Sequence, residues 1–289
     1  MRRDVVYSGF HEMFDIAYKK EKARFPMPPH THNAIEIFLN LSELPSVLMG
    51  TSVLSLQPDV LLLFPSYCIH QMTPAENSIY ERYILTINTS WFESVLGEQG
   101  SREYGYFKDS EKPLMIPLTT KQKKEIVGKM EQLIQCGSKT TFFKMNCFFD
   151  VMSWIHQIVG TANEEVAEHI REQLTGTAKT VSEMVDYINS HLYENITIED
   201  IAARFYLNHD YAARIFKKYV NTTIRSFITI QRITKAQQLL LEGESVAQIQ
   251  VETGYGSYEH FFRTFKKVTG MTPKEYRENY ASINSELRG

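Results

Sequence analysis

Two groups of residues in this 289-residue chain have types and spacings suited to chemistry. The first is a phrase written twice. Arg214-Ile-Phe-Lys-Lys218 is followed by Thr223, and 49 positions later Arg263-Thr-Phe-Lys-Lys267 is followed by Thr272. Arginine offers a planar fork of donors that matches phosphate oxygens and the edge of guanine, and lysine offers a point charge for phosphate. A phrase that recurs with the same basic and aromatic residues marks one supersecondary unit used twice, and two basic units of this kind imply a DNA reader. The second group is His30-Thr-His32 with Glu36 and a distant His70. His32 and Glu36 share parity along an extended chain, so both point to one side of a strand. Imidazole and carboxylate together suit a polar ligand or a divalent metal.

The charge distribution supports the first reading more than the total does. The net charge is −3. Residues 1–178 hold 17 Lys/Arg against 21 Asp/Glu, whereas residues 179–289 hold 14 against 13. Between Arg204 and Lys235 the basic residues are Arg204, Arg214, Lys217, Lys218, Arg225, Arg232 and Lys235, and the only acid is Asp210. That local excess is enough for phosphate contacts. The start of the chain lacks an apolar h-region, and no later apolar run approaches the roughly 18 residues of a membrane span; the expectation is a cytoplasmic protein with no membrane partner. Cys68, Cys136 and Cys147 are odd in number and lie in apolar segments, so they read as buried free thiols.

The elements that position the histidines are short strands. Ala34–Leu41, Val60–Phe64 and Arg82–Asn88 are rich in β-formers and separated by turn residues at Pro58-Asp59, Pro65-Ser66 and Pro74, a spacing that predicts an antiparallel barrel or jelly roll. His-x-His-x-x-x-Glu with a distant His resembles the metal motif of cupin barrels, although Gly50 is the only glycine between Gly9 and Gly97. A small-molecule pocket at the barrel mouth, lined by His30, His32, Glu36, Tyr67, His70 and Tyr83, is expected. Tyr80 and Trp91 are further candidates for stacking on a sugar. No metal, no cofactor and no catalytic residue set is assigned, and the chain is not expected to be an enzyme. Helices follow at Thr119–Gln135 and Thr141–Val159. The second is apolar on more than one face and needs a partner, either the barrel or a second subunit. Residues 161–179 read as a linker.

From Thr180 the punctuation is helical. Thr197 caps Ile198–Phe205, and Asn208 caps a helix to about Tyr219. A long helix runs from Ile224 to Leu241. Ser245 and Ser257 cap the corresponding pair in the second unit, Gly254 stops its first helix, and Thr272-Pro-Lys-Glu275 forms a capping box that opens a last helix to about Ala281. The long helix spans roughly 27 Å at 1.5 Å per residue, close to one DNA turn of about 34 Å. Asn221 and Gly270 stand at matching positions and both tolerate the left-handed conformation that ends a helix. Phe216 and Phe265 read as core.

Residues 180–282 closely resemble the DNA-binding domain of the AraC/XylS family of transcriptional regulators. The likeness is carried by Ile233-Thr-Lys-Ala-Gln-Gln-Leu-Leu-Leu241, Val246-Ala-Gln-Ile249, Gly254-Tyr255, Phe261, Arg263-Thr-Phe-Lys-Lys267, Gly270-Met-Thr-Pro273 and Tyr276-Arg277. The resemblance implies an α+β chain: a cupin-like barrel with a helical dimerisation segment over 1–160, a linker over 161–179, and an all-α domain with two helix-turn-helix units over 180–289. It implies two recognition helices in successive major grooves of promoter DNA. Carried over by position, Asp210, Ala213 and Arg214 in the first unit and Tyr258, Glu259, Phe262 and Arg263 in the second face bases. Asn208, Lys217, Lys218, Ser257, Lys266 and Lys267 fall to phosphates. The implied function is a transcriptional regulator, an activator, working with RNA polymerase under control of a small-molecule effector such as a sugar, as a homodimer through helices in 119–159. The alternatives are a metal-dependent cupin enzyme joined to a DNA-binding domain and a ligand-independent dimeric DNA binder.

Overall fold

The computed structural model describes residues 13–23, 29–50, 52–107, 113–136, 140–161 and 176–286. Two antiparallel sheets form the first part. Strands β1 (Phe14–Lys22), β2 (Ile35–Asn40), β5 (Val60–Phe64), β7 (Ile79–Ile87) and β8 (Leu114–Pro117) build a five-stranded sheet in the order β1-β7-β2-β5-β8. Strands β3 (Leu44–Met49), β4 (Ser52–Leu56) and β6 (His70–Thr73) build a second, in the order β4-β3-β6. Strand β2 is buried along its whole length because both of its faces are covered. Phe38 points into the space between the sheets, where it meets Leu44, Val47, Leu54, Leu62 and Phe64. Ile35, Ile37 and Leu39 point the other way, under helices α2 (Thr120–Gln135) and α3 (Thr141–Thr161). Strand β1 was missed in the sequence because it is an edge strand whose Lys19, Lys20, Glu21 and Lys22 face water, a composition that also protects the edge from pairing.

Helix α3 resolves its excess apolar surface largely within the chain. Phe148, Val151, Met152 and Ile155 lie against the five-stranded sheet and α2, while Phe142 and Phe143 stay exposed. The three cysteines are free and buried, with Cys136 and Cys147 facing each other across the start of α3 at an Sγ–Sγ distance of 2.8 Å. Helix α1 (Thr89–Glu103), capped by Asn88, carries a break at Gly97 (φ 64°) and was not expected from the sequence.

The helical part begins at α4 (Gly176–Ser190); the expected linker falls mostly on 162–175, outside the described residues. It continues through α5 (Ile198–Arg204), α6 (His209–Val220), α7 (Ile224–Glu242), α8 (Val246–Glu252), α9 (Tyr258–Thr269) and α10 (Pro273–Glu286). Each expected cap is present. Thr197 and Asp200 make a reciprocal capping box, as do Thr272 and Glu275, and Asn208, Thr223, Ser245 and Ser257 each accept from an amide in the first turn of their helix. Asn221 (φ 50°) and Gly270 (φ 79°) both end their helices in the left-handed conformation.

The helical part sits directly on the three-stranded sheet. Leu48, Val53 and Ile69 share one apolar core with Val181, Met184, Val185 and Ile188 of α4 and with Ile215 and Phe216 of α6. Polar ties accompany it. The Ser46 hydroxyl donates to the Tyr219 carbonyl (2.9 Å), Thr31 meets Thr234 on α7 (3.0 Å), and Tyr67 meets Tyr276 on α10 (3.2 Å).

Candidate DNA interface and the barrel site behind it

The two helix-turn-helix units are copies at the level of the backbone. Helices α5 and α6 form one and α8 and α9 the other, with α7 running between them. In both turns a residue with positive φ follows the first helix, Tyr206 (56°) and Gly254 (72°), and the next amide reaches back five residues, Leu207 to Ala202 and Tyr255 to Gln250. Glycine is needed only in the second. A Cβ on Gly254 would lie 2.6 Å from the Tyr193 carbonyl oxygen, so the backbones meet there, whereas the Tyr206 side chain projects into water at 95% exposure.

Each recognition helix buries one face and presents the other. Phe216 packs on Phe227, and Phe265 packs on Phe261 and Tyr276. Ala212 and Phe261 hold the same buried position in the two copies, so the second unit has the larger aromatic core. On the outer face Asp210, Arg214, Lys217 and Lys218 are exposed in α6, and Tyr258, Glu259, Arg263, Lys266 and Lys267 are exposed in α9. Arg214 and Arg263 occupy equivalent positions one and a half turns into their helices. The Tyr211 ring lies 5.2 Å from the Arg214 guanidinium, which holds that side chain near the helix surface. Ala213 and Phe262 are half-buried at the edge of these faces.

One basic residue of the excess between Arg204 and Lys235 has a different job. Arg232 on α7 donates to the carbonyls of Leu192 (2.7 Å), Glu194 (2.7 Å) and Gly254 (3.0 Å), and its guanidinium lies over the Tyr255 ring. Burial lowers its pKa. It ties the end of α4 to the turn of the second unit. Arg277 plays the matching part near the C-terminus, donating to the carbonyls of Leu240 and Glu244. A basic residue in a helix has the same sequence signature whether it meets phosphates or carbonyls, and only the fold separates the two.

In the barrel, His30, His32 and His70 come together with one ring nitrogen each within 4.8 Å of one another. Glu36 Oε2 lies 2.7 Å from His32 Nε2 and 3.1 Å from His70 Nε2. Burial pushes the Glu36 carboxyl up, but the hydrogen bonds and charge of His32 and His70 outweigh it and hold the group well below its ordinary value. His70 stacks on Phe64 at 4.5 Å, and its Nδ1 lies 3.0 Å from the Cys68 carbonyl. Tyr67, itself at φ 63°, donates its amide to the His32 carbonyl. Five of the six expected pocket residues therefore gather. Tyr83 does not. It pairs with Leu39 across β2 and β7, on the sheet face opposite Glu36, and its hydroxyl donates to Glu131 on α2. Trp91 is likewise core, between Phe14 and Phe148.

Comparison with known proteins bears on the helical part. A family model described as a helix-turn-helix domain matches residues 201–279, from within α5 to within α10. The melibiose operon regulatory protein of Escherichia coli is 34% identical over 99 residues, which is 34% of this chain and 33% of that protein. Residues 201–279 thus carry an AraC-type helix-turn-helix domain. The lactose operon transcription activator of Staphylococcus xylosus is 24% identical over 163 residues, 56% of each chain, so the matched stretch spans about a third to a half of these relatives. The crystal structure of the DNA-binding domain of AdpA in complex with a target DNA is 27% identical, covering 36% of this chain and 94% of that one, with a TM-score of 0.34.

Within this AraC-type domain the structure places the expected residues as follows. Asp210, Arg214, Tyr258, Glu259 and Arg263 lie on the exposed faces of the recognition helices, with Ala213 and Phe262 beside them. Asn208 and Ser257, expected at phosphates, use their side-chain oxygens to cap their own helices, which positions the amide-rich helix ends that phosphates favour. Sequence reasoning missed Tyr206, the 95% exposed residue of the first turn, because nothing in its type distinguishes it from a core tyrosine. It also missed Thr31, Ser46, Thr234 and Tyr276 as the polar ties between barrel and helices; small hydroxyls carry no signal until their partners are known.

Proposed function

We propose that the chain is a sequence-specific, DNA-binding transcriptional regulator, an activator, in which α6 and α9 enter successive major grooves and the barrel carries the control. The observation that carries this reading is the pair of exposed arginines, Arg214 and Arg263, in one register on two helices joined by the 19-residue α7. At 1.5 Å per residue α7 spans roughly 28 Å, near one turn of DNA. Asp210, Ala213, Tyr258, Glu259 and Phe262 complete the base-facing set, and Lys217, Lys218, Lys266 and Lys267 hold phosphates. The named relatives regulate melibiose and lactose operons, which favours a sugar as effector at the barrel mouth, with RNA polymerase as the protein partner. The exposed Phe142, Phe143 and Ile134 at the junction of α2 and α3 favour that end of the helical layer as the homodimer contact. The test is the affinity of Arg263→Ala for its promoter fragment. A loss of roughly 1–3 kcal/mol with unchanged melting is expected; wild-type affinity would remove Arg263 from the interface.

A further inference from the structure

We propose that Cys136 and Cys147 form a redox-modification site, at which a small peroxide joins them in a disulfide that staples helix α2 to helix α3. Two observations carry this. The first is register. Between the two helices Trp154 donates its indole N–H to Glu125 (3.2 Å) and Lys129 meets Asp150 (2.6 Å). These pairs are successive rungs of an antiparallel ladder, one turn apart on each helix. Continued towards the turn, the ladder brings the end of α2, capped by Cys136, against the second turn of α3, which carries Cys147. The second observation is contact. The two sulfurs lie 2.8 Å apart, about 0.8 Å more than a disulfide bond of roughly 2.05 Å, so small side-chain shifts close the bond. Both thiols are buried beneath the five-stranded sheet with Met130, Leu133 and Phe148, whereas Cys68 belongs to the separate core between the sheets. Of the pairings open to the three free cysteines, the fold favours this one.

The chemistry balances with hydrogen peroxide, an oxidant small enough for a buried site. One sulfur, as its thiolate, attacks a peroxide oxygen; the O–O bond breaks, hydroxide leaves and a sulfenic acid remains. The second sulfur attacks the sulfenic sulfur, the S–O bond breaks and the S–S bond forms. The two thiol protons leave in water, so two thiols and one peroxide give one disulfide and two waters, the sulfurs being oxidised and the peroxide reduced. Burial, and then the hydrogen bond to Cys136, push the Cys147 thiol up to about 11. Thiolate is therefore scarce near neutral pH, and the pair records sustained oxidant rather than answering a brief pulse. The two cysteines are 11 positions apart, and cross-linking a loop of that size removes entropy from the unfolded chain, favouring the fold about 100-fold. The stapled turn is the one that displays Ile134, Phe142 and Phe143.

The test exposes the folded, reduced, full-length protein to hydrogen peroxide overnight, alkylates the remaining thiols in urea, and reads tryptic peptides by mass spectrometry without reduction. The peptide ending at Lys139 is expected to be linked to the one beginning at Met145, with Cys68 alkylated. Dithiothreitol before digestion is expected to abolish the link. Oxidation in urea, where the ladder is lost, is expected to spread the linkage to Cys68. The linked protein is expected to melt roughly 5–10 °C above the reduced one. Cys136→Ala and Cys147→Ala, treated with peroxide in the same way, control for methionine oxidation and are expected to show no such rise. Cys136 and Cys147 still free after the overnight exposure, either of them carried on to a sulfinic acid, or a linkage to Cys68 in the folded protein overturns the site. A correct linkage with an unchanged melting temperature overturns the staple. Because no readout involves DNA, failure of promoter binding would count against the proposed function and not against this inference.

Discussion

Replacing Arg232 separates a structural arginine from a phosphate-binding one. Its guanidinium donates to three carbonyls, two of them in part-buried contacts, at Leu192 and Gly254, and one in an exposed contact, at Glu194. A hydrogen bond to a charged group contributes about 1.5–3 kcal/mol, and the exposed one exchanges readily with water. Arg232→Ala also relieves the cost of burying the charge and admits some water to the orphaned carbonyls. The net loss of stability is then about 2–4 kcal/mol. Arg232→Lys recovers only part of it, because an ammonium cannot span three acceptors in a fixed fork. Urea denaturation of the full chain reads the loss as a lower midpoint at unchanged slope. The salt dependence of promoter binding supplies the contrast: its slope stays at the wild-type value in Arg232→Ala under conditions where the protein is folded, and falls by about one in Lys217→Ala. Wild-type stability for Arg232→Ala combined with a slope reduced by one would refute the assignment.

Two further outcomes follow from the helix ends. Gly254→Ala is expected to destabilise the helical part by more than about 2 kcal/mol in the same denaturation assay, since the position combines a left-handed φ with a Cβ contact of 2.6 Å to the Tyr193 carbonyl oxygen; a loss below 0.5 kcal/mol on the same scale would show that Tyr193 yields freely. The Asp200 carboxyl lies below its ordinary value because the Thr197 side chain and then its amide donate to it. A depressed carboxyl favours the fold above its unfolded pKa, and that contribution fades as pH falls through the folded value. In an NMR titration Thr197→Ala should therefore raise the Asp200 pKa towards the ordinary range, and an unmoved pKa would show that the capping box is not its cause.

The helical half was legible because its signals are local. Asn208, Ser257, Thr197 and Ser245 each announce a helix start, Asn221 and Gly270 each announce an end, and the apolar period selects Phe216 and Phe265 for burial; all of these depend on residues within one or two turns of each other. The barrel was legible only at its centre. β2, β5 and β7 are apolar enough to show, but β1 has the composition of a solvated segment and β8 is four residues long. The candidate site divided along the same line. Histidines and Glu36 were found by type and spacing, yet Tyr83 was misplaced because one step of parity along β7 decides between the pocket face and the helix-covered face. Arg232 was legible only as one member of the local basic excess, and the ties through Thr31 and Tyr67 were invisible, because their partners lie 203 and 209 residues away.

The central claim, two recognition helices reading two successive major grooves, is tested most directly by selecting binding sites from a random DNA pool with the wild-type protein, Arg214→Ala and Arg263→Ala. Each variant is expected to lose preference at its own base positions while keeping the other set, and the two sets should lie about 10–10.5 base pairs apart, one turn of the duplex. Loss at the same positions in both variants, or selected sites that span a single half-turn, would contradict it.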